Sequence, residues 1–219
     1  MKTIATGGIT YIEPLSGSRE WYWGSDYAKG DLYEAEELYR DDHPVTSNRL
    51  VFVHYPDGRV VEPILGKEGQ YFGRPIAYDG KIQILMADFP KGSLHIFQYD
   101  DGAGQIAETA SLPLSAVKDC YNLLLKYSPL MLTRQGNDGR FEIVWPERAA
   151  FDIGESESLT ESFFDRRDGK LYFCRWWDDP DTEDYREEIV VRKYPTGEIL
   201  EVIPGSRMEM PDGQVWVLQ

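Results

Sequence analysis

The sequence contains little of what most metal and disulfide sites need, with two cysteines and three histidines among 219 residues. Cys120 and Cys174 stand far apart, which suits a reducing compartment and indicates neither a disulfide framework nor a zinc site. No Gly-x-Ser-x-Gly element, phosphate-binding loop or dinucleotide fingerprint is present. We therefore expect no metal and no cofactor.

Long apolar runs and an excess of basic residues are also lacking. No run reaches the length of a membrane span, and residues 1–8 contain no apolar signal segment. The net charge of −15 opposes binding to nucleic-acid phosphates and to anionic membranes. We expect a cytoplasmic protein without nucleic-acid or membrane partners, whose acidic surface keeps it soluble.

Aromatic residues are abundant, with 14 Tyr, 9 Phe and 6 Trp, and hydrophobic residues make up 42% of the chain. Such side chains pack well on the pleated surface of a sheet. This composition favours a folded chain rich in β-strands over a disordered one.

A repeated strand–turn–strand pattern runs through the chain. Residues 53–64 and 192–203 match best, since each has a Tyr-Pro-x-Gly turn between two apolar stretches. Glycine fits a turn position with positive φ, and proline presets the entry to the turn. Weaker copies fall near residues 6, 99 and 145, so the copies recur about every 40–50 residues, the period of a four-stranded propeller blade.

A second pattern precedes four of the five copies of the first. An Asp-Gly pair comes before an alternating apolar run at Asp79-Gly80, Asp168-Gly169 and Asp212-Gly213, with Asp31-Leu32 as a degenerate copy. Asp-Gly before such a run predicts a tight hairpin turn. Each repeat then consists of an inner strand A, an Asp-Gly turn, strand B, a loop, strand C, a tight turn and strand D.

In these two patterns the chain resembles the β-propeller superfold over its whole length. The resemblance implies one all-β domain, 1–219, with five blades. We place the blades at 16–65, 66–114, 115–154 and 155–204, with a closing blade that joins strands A and B of 205–219 to strands C and D of 1–15. This joining would remove exposed sheet edges.

Two segments conflict with the repeat. Residues 32–42 have helix propensity, and residues 115–126 could begin as a capped helix. The phase of the repeat predicts strands in both places. It also places Trp21-Tyr22-Trp23 on the inner strand A of the first blade. A mixed sandwich with a helix is the competing fold.

The long loops between strands B and C direct the search for function, because binding residues concentrate on loops held by a rigid scaffold. Two of these loops are acidic and aromatic. The candidate binding residues are Trp176, Trp177, Asp178, Asp179 and Asp181 in the fourth blade, and Asp41, Asp42 and His43 in the first. Alternation along a strand predicts that Trp176 and Trp177 face opposite sides. A calcium site lacks the glycine and distal glutamate of an EF-hand, so a solvated acidic loop is the better interpretation.

The sequence leaves two functions open. The first is a non-catalytic module that binds a protein, peptide or small ligand on this loop-rich face. The alternative is a carbohydrate-active enzyme, since some such enzymes are five-bladed propellers and glycosidases act through paired carboxylates. Its candidate acids, each at or just before a predicted strand A, are Glu20, Glu68, Asp119 and Glu161. His43, His54 and His95 are interpreted as surface or packed residues and not as bases.

Overall fold

The computed structural model describes residues 1–26, 30–154, 160–178, 184–210 and 214–219. The chain divides into two compact units, Met1–Tyr127 and Ser128–Gln219. In the described residues the strands form five antiparallel sheets, most of them four-stranded meanders in chain order. This construction confirms the all-β class and the blade-by-blade architecture of a β-propeller. No helix of the described residues is long and apolar enough to cross a membrane.

The first unit contains two sheets and one α-helix. The elements are β1 (Glu13–Pro14), β2 (Trp21–Ser25), α1 (Leu32–Arg40), β3 (Leu50–His54), β4 (Val60–Val61), β5 (Gln70–Phe72), β6 (Ile76–Tyr78), β7 (Lys81–Asp88), β8 (Ser93–Asp100), β9 (Gln105–Pro113), a 3-10 turn (Leu114–Ala116) and β10 (Leu123–Tyr127). The first sheet has the order β1-β2-β3-β4. In the second sheet β5, β7, β8 and β9 follow one another, and β6 also pairs with β7.

The second unit ends in a long four-stranded sheet followed by a hairpin. Its strands are β11 (Leu130–Gln135), β12 (Arg140–Trp145), β13 (Ala149–Asp152), β14 (Thr160–Arg167), β15 (Lys170–Asp178), β16 (Tyr185–Lys193), β17 (Ile199–Pro204), β18 (Ser206–Glu209) and β19 (Val215–Leu218). Strands β11 to β13 pair in chain order, as do β14 to β17, and β18 pairs with β19.

The predicted turns have the expected backbone conformations. Asp79-Gly80 and Asp168-Gly169 have positive φ at both positions, as a two-residue turn of type I′ requires. The Tyr-Pro-x-Gly turns also match each other. Gly58 N donates to His54 O at 2.7 Å, and Gly197 N donates to Lys193 O at 2.8 Å. Asp212-Gly213 lies outside the described residues.

Each unit has its own apolar core. In the first unit Leu15, Leu50 and Phe52 pack with Ile84 and Met86. The second unit has a cluster of four phenylalanines, in which the rings of Phe141, Phe151, Phe163 and Phe173 lie 5.1–6.3 Å apart between centroids. The abundant aromatic residues therefore supply much of the core between the sheets.

The strand predicted over 32–42 is wrong, because α1 occupies Leu32–Arg40. Asp31 caps this helix: its side chain accepts from the backbone N–H groups of Tyr33 and Glu34, and Glu34 accepts in return from Asp31 N. Asp31 is therefore an N-cap and not a hairpin turn. Residues 115–126 are only partly strand, since a 3-10 turn ends at Ala116 and β10 begins at Leu123.

The first sheet begins earlier than the repeat predicts. Glu13 pairs with Trp23 and Pro14 with Tyr22, so β1 precedes β2 in this sheet. Trp21-Tyr22-Trp23 thus belongs to the second strand and not to the first. The tight connection explains the pairing, since Leu15 N donates to Trp21 O and Ser18 N to Leu15 O. The closing blade of residues 205–219 with 1–15 and the single-domain assignment stay predictions.

Candidate functional site

The candidate site in the second unit lies where β15 ends and β16 begins. Asp178, the last residue of β15, pairs across the hairpin with Tyr185, the first residue of β16. Trp176 pairs with Glu187 two positions further along each strand. Residues 179–183 connect the strands and lie outside the described residues, as do the candidate positions Asp179 and Asp181.

Two aromatic side chains meet on one side of this hairpin. Trp176 is 39% exposed and Tyr185 is 57% exposed, and their rings are stacked with centroids 6.0 Å apart at 27°. Trp177 is half-buried, and it pairs with Arg186 instead. Neighbouring residues of a strand point to opposite faces, so the predicted division between Trp176 and Trp177 is the one observed.

Carboxylates accompany the two rings. Tyr185 Oη donates to Glu187 Oε1 at 2.6 Å, and this bond raises the pKa of Tyr185 to about 12. Hydrogen bonds from the side chains of Ser206 and Tyr185 hold the pKa of Glu187 below its usual value. The tyrosine is therefore protonated and the glutamate charged at neutral pH. We call Trp176, Asp178, Tyr185 and Glu187 the aromatic patch.

The candidate residues of the first unit lie at the end of α1. Asp41 is the C-cap of the helix, and Asp42 has a φ of 57° in the left-handed region. The backbone N–H of His43 donates to Leu38 O at 2.9 Å. All three side chains are exposed, which leaves them accessible to a partner. No aromatic stack of the kind found in the aromatic patch involves them among the described ring contacts.

The four candidate acids have different surroundings. In the first unit, Glu20 and Glu68 are exposed, and Asp119 accepts from Tyr121 N at 3.0 Å. Glu20 Oε2 lies 3.9 Å from His54 Nε2. The glycosidase hypothesis requires two carboxyls facing each other across a concave site.

Glu161, in the second unit, is buried in an ion-pair network. Its two carboxylate oxygens accept from Arg192 Nε at 3.0 Å and Arg192 Nη2 at 2.9 Å. Arg175 Nη1 adds a third contact at 3.5 Å. These guanidinium groups occupy the oxygens that a glycosidase acid would present to substrate. The glycosidase hypothesis stays a prediction.

Sequence reasoning missed a hydrogen-bonded group on β8 and β9. Ser93 Oγ lies 2.8 Å from His95 Nε2, and His95 Nδ1 lies 3.1 Å from Glu108 Oε1. The Ser-x-His spacing on a predicted strand C could have indicated that the first two share a face. Among the described residues, no cluster of three His, Cys, Asp or Glu side chains is arranged to hold a metal ion.

No protein-family model matches the sequence, and no curated protein matches it. A solved structure of an endo-arabinase from Bacteroides thetaiotaomicron VPI-5482 is similar to this chain with a TM-score of 0.44 and 11% sequence identity. The similarity covers 94% of this chain and 86% of the endo-arabinase chain.

Proposed function

We propose that this protein is a binding module that recognises a basic peptide segment of a partner protein through the aromatic patch. The observation that carries the proposal is the stacked pair of Trp176 and Tyr185, both exposed at the end of a long hairpin. Exposed aromatic rings held in a fixed arrangement are typical of protein recognition sites, where a few such residues supply most of the binding energy.

The charges of the aromatic patch favour a basic ligand. Glu187 carries a negative charge beside the rings, and the exposed Asp178 lies across the hairpin from Tyr185. A lysine or arginine side chain can contact a ring face through a cation–π interaction while its charge pairs with a carboxylate. The net charge of −15 would also speed the approach of a basic partner and disfavour an acidic one.

The scaffold holds these side chains with little freedom. Strands β15 and β16 pair continuously from Lys170–Lys193 to Asp178–Tyr185, so the hairpin is regular up to its end. The hydroxyl of Tyr185 is bound to Glu187, which fixes the ring on which Trp176 stacks. A preorganised surface loses less conformational entropy when it binds.

The test is a fluorescence anisotropy titration of labelled Lys/Arg-rich peptides, with Glu/Asp-rich peptides of equal length as the comparison. Trp176→Ala should weaken binding of the best basic peptide by about 30-fold, since loss of a central aromatic residue costs about 2 kcal/mol. Trp216→Ala is the matched control, because Trp216 is 49% exposed on β19 and lies outside the aromatic patch.

Two results would reject this function. One is equal affinity for the basic and the acidic peptides at about 0.15 M salt, where surface charges are partly screened. The other is the same loss of affinity in Trp176→Ala and Trp216→Ala. Thermal unfolding of each variant checks that both proteins are folded.

A further inference from the structure

We infer that Ser93, His95 and Glu108 form a second site, a hydrolytic triad that cleaves small activated esters. The hydrogen bonds run in the order that nucleophilic catalysis requires. A serine hydroxyl contacts one imidazole nitrogen at 2.8 Å, and the other nitrogen contacts a carboxylate at 3.1 Å. This order, nucleophile to base to orienting group, is how such a triad is recognised on any fold.

The strands place the three side chains on one face. Ser93 and His95 are two residues apart on β8, so they point the same way. Glu108 comes from β9 through a change of register: Ile96 pairs with Ala110, whereas the next residue, Phe97, pairs with Glu108. Thr109 is thus an extra, unpaired residue on β9, which makes a β-bulge. If the register were uninterrupted, Glu108 would face the opposite side of the sheet. β-Bulges recur beside active sites, where they redirect a side chain.

Two contacts hold this geometry in place. Thr109 Oγ1 donates to Ile96 O at 3.0 Å, directly at the bulge. The imidazole of His95 stacks on the ring of Phe97, with centroids 6.0 Å apart at 21°. The bulge and the stacked ring therefore orient the imidazole toward both of its partners.

The hydrogen-bond partners select one tautomer for a neutral His95. A carboxylate has no proton to donate, so Nδ1 would carry the proton and donate it to Glu108. Nε2 would then hold a lone pair and accept from the hydroxyl of Ser93. This is the tautomer in which the imidazole can take the serine proton as a general base.

The serine is open to a small substrate. Ser93 is half-buried at the start of β8 and follows the exposed residues Lys91 and Gly92. Gly92 has a φ of 60°, and a Cβ placed on it would meet no atom within 4 Å. The side chain of His95 is 15% exposed, so it is shielded but reachable. The space beside Gly92, the residue before Ser93, is therefore open.

The reaction has two steps. Ser93 Oγ attacks the carbonyl carbon of an aryl ester while its proton moves to His95 Nε2, and Glu108 stabilises the imidazolium through Nδ1–H. The bond to the aryl oxygen breaks, and the leaving phenolate takes the proton from His95. Water then attacks the acyl-serine with His95 as base, releasing a carboxylic acid and restoring Ser93. Ser93 and His95 are the catalytic residues, and Glu108 is a positioning residue.

The first experiment is covalent labelling of the full chain with a fluorophosphonate, followed by peptide mass spectrometry, together with p-nitrophenyl acetate hydrolysis. We expect one adduct, on Ser93, and hydrolysis faster than by the urea-unfolded chain. Ser93→Ala should lose the adduct, and both Ser93→Ala and His95→Gln should slow hydrolysis on the order of 10²-fold or more. Ser111→Ala is the control, because this exposed serine pairs with His95 on the neighbouring strand.

The second experiment tests the role of Glu108. Glu108→Gln should lower kcat with KM unchanged, because it alters the orientation and charge stabilisation of His95 without touching substrate. If Ser111→Ala lowers kcat as much as Glu108→Gln does, this role of Glu108 is wrong. The site itself is overturned if Ser93→Ala hydrolyses as fast as wild type, if the adduct forms on another residue, or if the folded chain is no faster than the unfolded one.

Discussion

The first sheet, β1–β4, and the last complete sheet, β14–β17, hold the same chemical pair in different surroundings. At the edge of the first sheet, Arg49 just before β3 binds Glu62 just after β4 through Nε and Nη2 at 2.8 and 2.9 Å. In the last sheet Arg192 binds Glu161 through the same two nitrogens at 3.0 and 2.9 Å. The first pair is partly open to solvent, with side-chain exposures of 33% and 22%, and the second is buried, with 7% and 5%.

The difference follows from the lengths of the strands. β1 and β4 contain two residues each, so the short first sheet leaves its ion pair near the surface. β14 to β17 contain six to nine residues each, and Arg192 is further fixed by donating from Nη1 to Gly197 O at 2.8 Å. A bidentate ion pair is therefore not a measure of stability by itself, since burial decides what its loss costs.

The largest effect is expected where the buried pair is broken. Arg192→Met removes the main partner of Glu161 and leaves a buried carboxylate with a single, longer contact of 3.5 Å to Arg175 among the described residues. We expect the free energy of unfolding to fall by about 3–5 kcal/mol. Arg49→Met is the matched variant in the first sheet, and its cost should be much smaller because water can solvate Glu62. Urea titration of both variants measures the difference.

A double variant tests the cause. Arg192→Met with Glu161→Leu removes both charges and should recover much of the stability, because replacing a buried pair by apolar residues is often neutral. Equal costs for Arg192→Met and Arg49→Met would refute the view that burial separates the two pairs. A double variant as unstable as Arg192→Met would show that packing, and not the unpaired charge, sets the cost.

A smaller effect is expected at the two matching turns. Gly197 has a φ of 75°, and a Cβ there would lie 2.8 Å from Phe151 Cβ and closer still to its buried ring. Gly197→Ala should cost about 2–4 kcal/mol, since strained backbone and overpacking of the core add together. Gly58 has a φ of 72°, but a Cβ there meets the flexible ends of Ile4 and Lys2.

Gly58→Ala should therefore cost only about 1 kcal/mol, mainly from its backbone conformation. Thermal unfolding followed by circular dichroism compares the two alanine variants. If both lower the midpoint equally, the turn motif alone sets the cost and the contact with Phe151 adds nothing.

The same turns show why much of the fold could be predicted. Tyr-Pro-x-Gly and Asp-Gly are local signals, because the residue at a positive φ is specified by its own steric limits. The recurrence of these two turns predicted hairpins in three of the sheets. It also predicted the strand order A to D that β14–β17 show. The opposed faces of Trp176 and Trp177 followed from the two-residue period of a strand.

Other features depend on contacts that no local pattern encodes. The helix α1 replaced a predicted strand because Asp31 and Glu34 cap it, and a repeat phase has no information about an inserted element. The bulge at Thr109 turns Glu108 toward His95, and a single extra residue in β9 leaves no mark in the sequence. The ion pair of Glu161 with Arg192 could not be predicted from the sequence either, because Arg192 lies two strands away in the sheet.

The smallest effect concerns α1, in the connection between β2 and β3 of the first sheet. Asp31→Ala removes the oxygen that accepts from Tyr33 N at 2.7 Å and Glu34 N at 3.3 Å, and should cost about 1 kcal/mol. Asp31→Asn keeps an acceptor oxygen and should retain most of the stability.

In the last sheet Asp168 acts through its backbone, which has a φ of 51°. Asp168→Gly should therefore be tolerated, and Asp168→Asn should change the stability little. Urea titration would contradict this contrast between a capping and a turn aspartate if Asp31→Asn were as unstable as Asp31→Ala.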